Sequence, residues 1–185
     1  MRIAVYSGSF NPLHIGHLAI MERLTGDAGF DLVYLVVSPQ SPFKDASNSD
    51  SGRSRYLAAV QAVKRHPNLK VKVDDIELGM TPPHYTIRTL DTLREREPWN
   101  EFTLIIGADN LDNFRGWRDY RRILTEYGIA VFPRKGYHRG RLRSSLMKEC
   151  PDYRIRLLKA PNVNVSSTQI REALSSGKDV SRLLM

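Results

Sequence analysis

The sequence predicts an α/β protein in which a parallel sheet is covered by helices on both faces. Segments rich in β-branched residues alternate with segments of helical periodicity along the chain, an order typical of this class. The strand-like segments are continuously apolar, as at residues 32–37, which indicates strands buried on both faces. A length of 185 residues with 41% hydrophobic residues suits one globular domain, and we expect it to span residues 1–185.

The elements are predicted in strict alternation. Apolar, β-branched runs predict strands at residues 2–7, 32–38, 69–74, 102–107, 129–132 and 153–158. Helical periodicity predicts helices at residues 16–24, 53–65, 85–96, 117–127 and 141–149, with a last helix opening at Ser166. The irregular segments 39–52 and 133–140 follow strand ends and are expected to be substrate loops. Such sheets bind ligands outside the carboxyl ends of their strands, where we therefore expect the site.

Composition excludes several classes of function. The longest apolar runs are short and the N-terminus enters a strand pattern directly, so neither a membrane span nor a secretory signal is expected. The single cysteine, Cys150, can form no internal disulfide and has no companions for a zinc site. These features predict a cytoplasmic protein without a membrane partner.

The net charge of +8 comes from one stretch of the chain. Residues 115–159 contain 13 basic and 4 acidic residues, whereas the remainder has a net charge of −1. The dense part, between Arg134 and Arg143, favours phosphate-bearing partners, although a solvated surface would show the same pattern. Only Tyr137 lies within it as a base-stacking aromatic, so a nucleic-acid-binding module is the runner-up interpretation.

The first strand-to-helix turn has the features of a phosphate site. Gly8 permits close approach of a ligand to the backbone, and the following helix offers free N–H groups and the positive end of its dipole. His14 and His17 stand where that helix begins and add donors. The sequence contains neither GxxxxGK[ST] nor GxGxxG, which excludes a P-loop and the dinucleotide fingerprint. Either histidine alone would be interpreted as a cap, but the pair in this context favours a ligand.

A second helix start, at residues 164–171, offers a similar cradle. Ser166 or Ser167 is the expected N-cap, and Arg171 would lie about one turn inside the helix, within reach of a bound phosphate. Alone this would be an ordinary cap. Together with the first turn, a second anion cradle becomes a specific signal for a ligand site.

These segments resemble a known family. HIGH at residues 14–17 and VSSTQIR at 165–171 resemble the paired signatures of the nucleotidyltransferase superfamily. PHYTIRTL at 83–90 and LIIGADNL at 104–111, followed by Trp117, resemble the bacterial nicotinate-nucleotide adenylyltransferases in particular. Class I aminoacyl-tRNA synthetases share only the HIGH element. The resemblance covers nearly the whole chain and implies a Rossmann-like nucleotidyltransferase fold.

The resemblance implies transfer of the adenylyl group of ATP to nicotinate mononucleotide, giving deamido-NAD and pyrophosphate. It implies catalytic roles for His14, His17, Lys44 and Arg171. The residues implied to bind ATP are Gly8, Ser9, Phe10, His14, His17, Gly107, Asp109, Ser167, Thr168 and Arg171. Mg²⁺ is implied as a cofactor bound through the ATP phosphates, with no metal ligand from the protein.

The residues implied to bind nicotinate mononucleotide are Tyr85, Thr86, Asp109, Trp117 and Arg134. Asp109 would bind ribose hydroxyls, and Arg134 the phosphate of the mononucleotide. Trp117 would stack on the ring, although it could equally anchor its helix to the core. Nicotinamide mononucleotide and phosphopantetheine stay open as alternative acceptors, and a homo-oligomer is compatible with the sequence.

The chain departs from the family pattern at four places. Ser7 stands where the family often has Gly, Asn11 where it often has Asp, and Phe43 where a His commonly precedes the loop lysine. Relatives usually continue beyond the Leu-Leu-Met at 183–185 into a short final helix, which we expect to be missing here, either by truncation or in a shorter homologue.

Overall fold

The computed structural model describes residues 1–39, 51–159 and 165–185, and its centre is a six-stranded sheet. The strands are β1 (Arg2–Gly8), β2 (Leu32–Val37), β3 (Val71–Asp74), β4 (Glu101–Gly107), β5 (Ile129–Phe132) and β6 (Ile155–Leu157). They lie in the order β3-β2-β1-β4-β5-β6, and every neighbouring pair is parallel. The prediction of a parallel α/β sheet is therefore confirmed.

The helices follow the strands in turn. They are α1 (Ile15–Thr25), α2 (Gly52–Lys64), α3 (Thr86–Arg96), α4 (Ala108–Asp112), α5 (Tyr120–Arg122), α6 (Arg139–Met147) and α7 (Ser167–Ser175). A π-helical turn, Ile123–Tyr127, continues α5, and short 3₁₀ turns lie at Ile76–Gly79, Phe114–Gly116 and Ser181–Leu183. Among the described residues no helix is long and apolar enough to cross a bilayer.

The core has two halves, one on each face of the sheet. Alternate residues of a strand point to opposite faces, so Ile3 and Val5 of β1 belong to one buried cluster, and Ala4 and Tyr6 belong to the other. The first cluster packs under α3 and α4, and the second under α1 and α2. Because both clusters share the sheet, they support the single-domain prediction for residues 1–185, which stays a prediction.

The strand order places the site. Helical connections run to one side from β1 through β2 to β3 and to the other from β4 to β6, so the order reverses between β1 and β4. At such a switch point the connecting segments diverge and leave a crevice at the carboxyl ends of the strands. The turn with the two histidines follows β1, and Gly107 ends β4, so both flank this crevice.

Several predicted boundaries were wrong. The helix predicted at residues 117–127 begins only at Tyr120, because Trp117 is extended and Asp119 adopts a left-handed conformation with φ 53°. The strands predicted at 69–74 and 153–158 are shorter, and α4 and the 3₁₀ turns were not predicted. Of the expected substrate loops, 40–50 lie outside the described residues, and 133–140 is partly helical because α6 begins at Arg139.

The turn into β5 requires a glycine for two reasons, and they can be separated experimentally. Gly128 has φ 76°, and a Cβ there would lie 2.9 Å from the Arg154 Cβ and 3.1 Å from its carbonyl oxygen. Gly136 has φ 88° with nothing within 4 Å of its Cβ position. Both positions have a positive φ that strains an L side chain, but only at Gly128, where ψ is 165°, would a Cβ also collide with Arg154.

We therefore expect Gly128→Ala to lower the free energy of unfolding by about 1–3 kcal/mol more than Gly136→Ala does. Urea unfolding of the two variants measures this difference. Equal losses in the two variants would contradict the packing described for Gly128.

Candidate active site

The two histidines of the first turn form a capping box at the start of α1. His14 is the N-cap residue, and its Nδ1 accepts a hydrogen bond from the Gly16 N–H at 3.1 Å. The Nδ1 of His17 accepts from the backbone N–H of His14 at 3.2 Å. Since a backbone N–H can only donate, both Nδ1 atoms are acceptors, and in each neutral ring the proton is on Nε2. Each imidazole thus keeps one N–H donor that the cap does not use.

Packing holds both rings in place and keeps them uncharged. The rings stack with centroids 3.8 Å apart, and the edge of Phe10 packs against His17 at 5.2 Å. Burial, followed by the positive charge of Arg134, lowers the pKa of His14 to about 4. Burial, followed by His14 and Arg134, lowers the pKa of His17 to about 3. At neutral pH the pair therefore presents two fixed, neutral donors.

The wall behind the histidines is aromatic. Phe10 is buried and packs edge-on against Tyr6 with ring centroids 5.3 Å apart, and Tyr6 in turn packs against Phe132. A Cβ at position 8 would lie 3.1 Å from the Phe10 ring, which explains the glycine there. Burial raises the pKa of the Tyr6 hydroxyl well above its usual value. Because its side chain is buried, Phe10 can offer a nucleotide only its backbone, as can Gly8.

The second predicted helix start lies directly on the first turn. Ser166 is the N-cap of α7 and forms a capping box with Gln169. The Ser167 hydroxyl donates to the Pro12 carbonyl at 3.0 Å, and the Arg171 guanidinium donates to the Asn11 carbonyl at 2.6 Å. Arg171 also donates to the Thr168 hydroxyl at 3.1 Å. Motifs about 150 residues apart in the sequence are thus brought into contact.

A third wall comes from the ends of β4 and β5. The Nε of Arg134 lies 3.6 Å from Oδ1 of Asp109, and that oxygen is buried without a hydrogen-bond donor among the described residues. A Cβ on Gly107 would collide with this oxygen and lie 3.2 Å from Arg134 Nε, so a larger residue there would displace the pair from this arrangement. Burying an acceptor without a donor is costly, and a ligand hydroxyl would satisfy Asp109.

A separate cavity of about 960 Å³ opens beside this wall. It is lined by His84, Tyr85, Thr86, Asn110, Asp112, Asn113, Arg115, Gly116, Trp117 and Arg118. The half-buried Trp117 packs on Phe114 with centroids 5.0 Å apart while it also faces this cavity. Both interpretations of Trp117, core anchor and ring platform, are therefore compatible with its position.

Lys44 and Phe43 lie outside the described residues, so the structure does not place the predicted loop lysine. Within the described ranges no group of three or more His, Cys, Asp or Glu side chains could hold a metal ion. The side chains brought together at the site are imidazoles, guanidinium groups, hydroxyls and the carboxylate of Asp109. This donor set fits polyphosphate better than a bare cation.

Sequence reasoning missed two supports of the site. Arg55, on α2, is buried and donates to the carbonyls of Ser9, Ser38 and Pro39 at 2.7, 2.8 and 2.5 Å, which ties the ends of β1 and β2 together. No sequence signal marks Arg55, because its acceptors are backbone carbonyls that any residue would supply.

The other support is the buried carboxylate of Glu77, which accepts from Thr89 at 2.9 Å and from Ser7 at 3.3 Å. It accounts for Ser7 in place of the family's glycine, because the Ser7 hydroxyl links the end of β1 to this carboxylate. The departure of Ser7 from the family pattern was the sequence signal that could have indicated this support.

The basic stretch 115–159 is largely committed to the fold. Arg139 and Arg143 donate to the carbonyls of Val131, Leu158 and Ile155, in or next to β5 and β6. Arg154 and Arg156 donate to the carbonyls of Glu126 and Ala28. Arg115 pairs with Glu149, and Arg122 with Asp91 and Glu126. The nucleic-acid interpretation loses its main support, because most of these guanidinium groups already have acceptors.

A parallel sheet with two helix N-termini and basic side chains meeting at its switch point defines a nucleotidyltransferase of the α/β class. The family model described as Cytidylyltransferase-like matches residues 5–173. A probable nicotinate-nucleotide adenylyltransferase of Bacteroides fragilis is 37% identical over 97% of this chain and 85% of its own length. A relative with the same description from Cytophaga hutchinsonii is 35% identical over 100% of this chain and 91% of its own length.

Among solved structures, the nicotinic acid mononucleotide adenylyltransferase of Plasmodium falciparum, complexed with NaAD, superposes with a TM-score of 0.77. It is 18% identical and covers 99% of this chain and 90% of its own, a likeness that shows the fold. The chain belongs to the cytidylyltransferase-like family and, within it, to the nicotinate-nucleotide adenylyltransferases.

The capping box predicts how stability depends on pH. The pKa of each histidine is about 6.5 when unfolded and lower when folded, at about 4 for His14 and about 3 for His17. Both rings are neutral in both states above about pH 6.5, and as pH falls below this value only the unfolded chain takes up protons. The stability that the neutral pair contributes is therefore complete above pH 6.5 and is lost progressively toward pH 3.

The variant His14→Asn/His17→Gln keeps a capping box, since Asn caps and Gln at N3 can both accept, but it cannot titrate. Between pH 7 and pH 5 we expect the wild type to lose on the order of 4 kcal/mol more free energy of unfolding than this variant, roughly half of it from each histidine. His138→Asn, which removes an exposed histidine, should keep the wild-type dependence of the free energy of unfolding on pH. Identical slopes in the wild type and the double variant would refute the buried neutral pair.

Proposed function

We propose that the protein transfers the adenylyl group of ATP to nicotinate mononucleotide, giving deamido-NAD and pyrophosphate in NAD biosynthesis. The observation that carries this proposal is the contact between the two motifs: Ser167 and Arg171 bond to the carbonyls of Pro12 and Asn11, directly before His14. The N-termini of α1 and α7 thus meet at one edge of the sheet together with the donor side chains of His14, His17 and Arg171. This arrangement is suited to a polyphosphate.

On the ATP side the chemistry is one of positioning and charge stabilisation. The ribose-phosphate oxygen of the acceptor attacks the α-phosphorus in line, and pyrophosphate leaves, so negative charge grows on the phosphoryl oxygens. In our proposal the Nε2–H groups of His14 and His17 donate to these oxygens. Their Nδ1 atoms are held by backbone N–H groups, so the donors need no reorganisation during the reaction. Nearby phosphate charge raises the pKa of an imidazole and so strengthens it as a donor.

The leaving pyrophosphate needs positive charge and N–H groups of its own. We assign its β and γ phosphates to Ser167, Thr168 and Arg171 at the start of α7, with Lys44 as the loop lysine. Arg171 now donates to the Asn11 carbonyl, so one of its N–H groups is already used to hold it beside the first turn. Ser9 and the backbone of Gly8 and Phe10 would line the nucleotide.

On the acceptor side we assign the nicotinate ring to the cavity with Tyr85, Thr86 and Trp117. Asp109 would accept from ribose hydroxyls through the oxygen that lacks a donor, with Gly107 leaving the space for it. Arg134 would bind the phosphate of the mononucleotide. Arg134 lies close enough to the histidines to lower the pKa of each. Its position beside them suits the proposal, because the phosphates of the two substrates have to meet there.

Mg²⁺ is proposed as a partner of ATP. The described site offers no cluster of carboxylates for it, so the phosphate oxygens of ATP would hold the ion. When bound there it would neutralise part of the phosphate charge. We place the reaction in the cytoplasm, because the single Cys150 has no disulfide partner in the sequence.

The proposal is tested by supplying purified protein with ATP, Mg²⁺ and either nicotinate or nicotinamide mononucleotide, and measuring pyrophosphate release together with the dinucleotide formed. We expect release with nicotinate mononucleotide and formation of deamido-NAD. No release with either mononucleotide would sink the proposal.

The role of the histidine pair has its own test in the same assay. His14→Asn/His17→Gln keeps the cap but exchanges both imidazole Nε2–H donors for amide N–H groups, which cannot gain a proton beside phosphate, so we expect kcat to fall at least about 100-fold while the far-UV circular dichroism stays that of the wild type. His138→Asn serves as the matched control and should retain full activity. A double variant that folds and turns over normally would remove the histidines from the mechanism.

A further inference from the structure

The cavity proposed for the acceptor ring has an uneven distribution of charge. Among the described residues that line it, Asp112 is the one carboxylate, whereas Arg115 and Arg118 both reach it. Its aromatic members, Tyr85 and Trp117, form walls suited to a flat ring. Recognition of charge on that ring must therefore come from the arginines and from the backbone of α3.

The start of α3 also adds positive potential to the cavity. Tyr85 is the N-cap residue, and its side chain makes no capping hydrogen bond. The first turn holds no acidic residue, and the N–H groups of Arg88 and Thr89 bond back to the Tyr85 carbonyl. The positive end of this 11-residue helix thus faces the cavity without an acidic residue in its own first turn to offset it.

The two arginines differ in what they already bind. Arg115 donates to the Glu149 carboxylate and to the Ser145 hydroxyl, so its guanidinium group is held by its own neighbours. Arg118 lies 5.9 Å above the Tyr85 ring, and its Nε is 3.6 Å from the carboxylate of Asp119. That distance exceeds a hydrogen bond, and the Arg118 side chain is 66% exposed. Its fork of donors therefore stays available to a ligand in the cavity.

From this geometry we infer that Arg118 is a specificity residue, which strengthens binding of a mononucleotide whose ring carries a carboxylate over one whose ring carries a neutral amide. A carboxylate can accept two N–H bonds from one guanidinium group and gains from its charge. An amide offers one acceptor oxygen and two N–H groups that a guanidinium cannot use. This inference rests on the proposed function, because it assigns the ring to this cavity.

The test compares the wild type with Arg118→Gln and Arg121→Gln. Arg121 is an exposed arginine three residues away that bonds to the Tyr120 hydroxyl and does not line the cavity, so its loss controls for a general change of charge. Binding of nicotinate and of nicotinamide mononucleotide is measured by calorimetry without ATP, and KM and kcat are measured with MgATP.

We expect Arg118→Gln to weaken binding of the acid about five- to tenfold, with a matching rise in its KM, and to leave kcat unchanged. In the same variant, the dissociation constant of the amide should change less than about twofold. Arg121→Gln should change the dissociation constant of neither ligand. Because Arg118 is partly exposed, the preference of the wild type for the acid should shrink as salt is raised.

The inference would be overturned if Arg118→Gln changed the dissociation constants of acid and amide equally or left both unchanged. It would also be overturned if Arg121→Gln produced the same change as Arg118→Gln. Calorimetry separates this outcome from failure of the proposed function. If the wild type binds the acid selectively through Arg118 but releases no pyrophosphate, the proposed function fails and the inference stands.

Discussion

Two hydrogen bonds at the start of α1 fix the arrangement on which the rest of the site depends. The N–H of Gly16 bonds to Nδ1 of His14, and the N–H of His14 bonds to Nδ1 of His17. These bonds satisfy donors that a helix start leaves free, and they also decide which ring nitrogen carries the proton. The structural and the functional interpretation of the two histidines are therefore one arrangement, because capping the helix is what aims the Nε2–H groups.

Other parts of the molecule are organised around the same turn. Tyr6 and Phe10 bury the rings from behind, and Arg134 adds positive charge beside them, so that both pKa values fall and the pair is neutral in the free protein. Ser167 and Arg171 fasten α7 to the carbonyls just before His14. A substrate polyphosphate would thus enter a site whose donors are already in position, which is what electrostatic stabilisation of a transition state requires.

The sequence predicted the sheet well because continuous apolar strands and capped helices are local patterns. Sequence reasoning also joined the turn at residues 14–17 and the helix start at 166–171 into one predicted site, and in the structure Ser167 and Arg171 bond to the carbonyls of Pro12 and Asn11, next to that turn. It could not predict the buried oxygen of Asp109 or the three carbonyls held by Arg55, because these depend on how distant segments meet. The late start of α5 was missed for a different reason: Asp119 in a left-handed conformation leaves no mark in a periodicity.

Net charge alone was misleading about partners, and the structure shows why. The positive excess of the chain lies in residues 115–159, yet Arg139, Arg143, Arg154 and Arg156 donate to backbone carbonyls at strand ends or nearby turns. A guanidinium group used in this way holds the fold and adds positive potential without forming a docking surface. Arg134 and Arg118 are different, since each lies beside a region assigned to a substrate.

The central claim is that the histidine pair is neutral and protonated on Nε2 in the free protein. Nitrogen-15 NMR of the imidazoles measures both properties directly for His14 and His17. The account predicts bare Nδ1 and protonated Nε2 atoms at neutral pH, with no protonation of either ring until the pH falls below about 5. A ring that titrates near its ordinary pKa of 6.5, or that carries its proton on Nδ1, would contradict it.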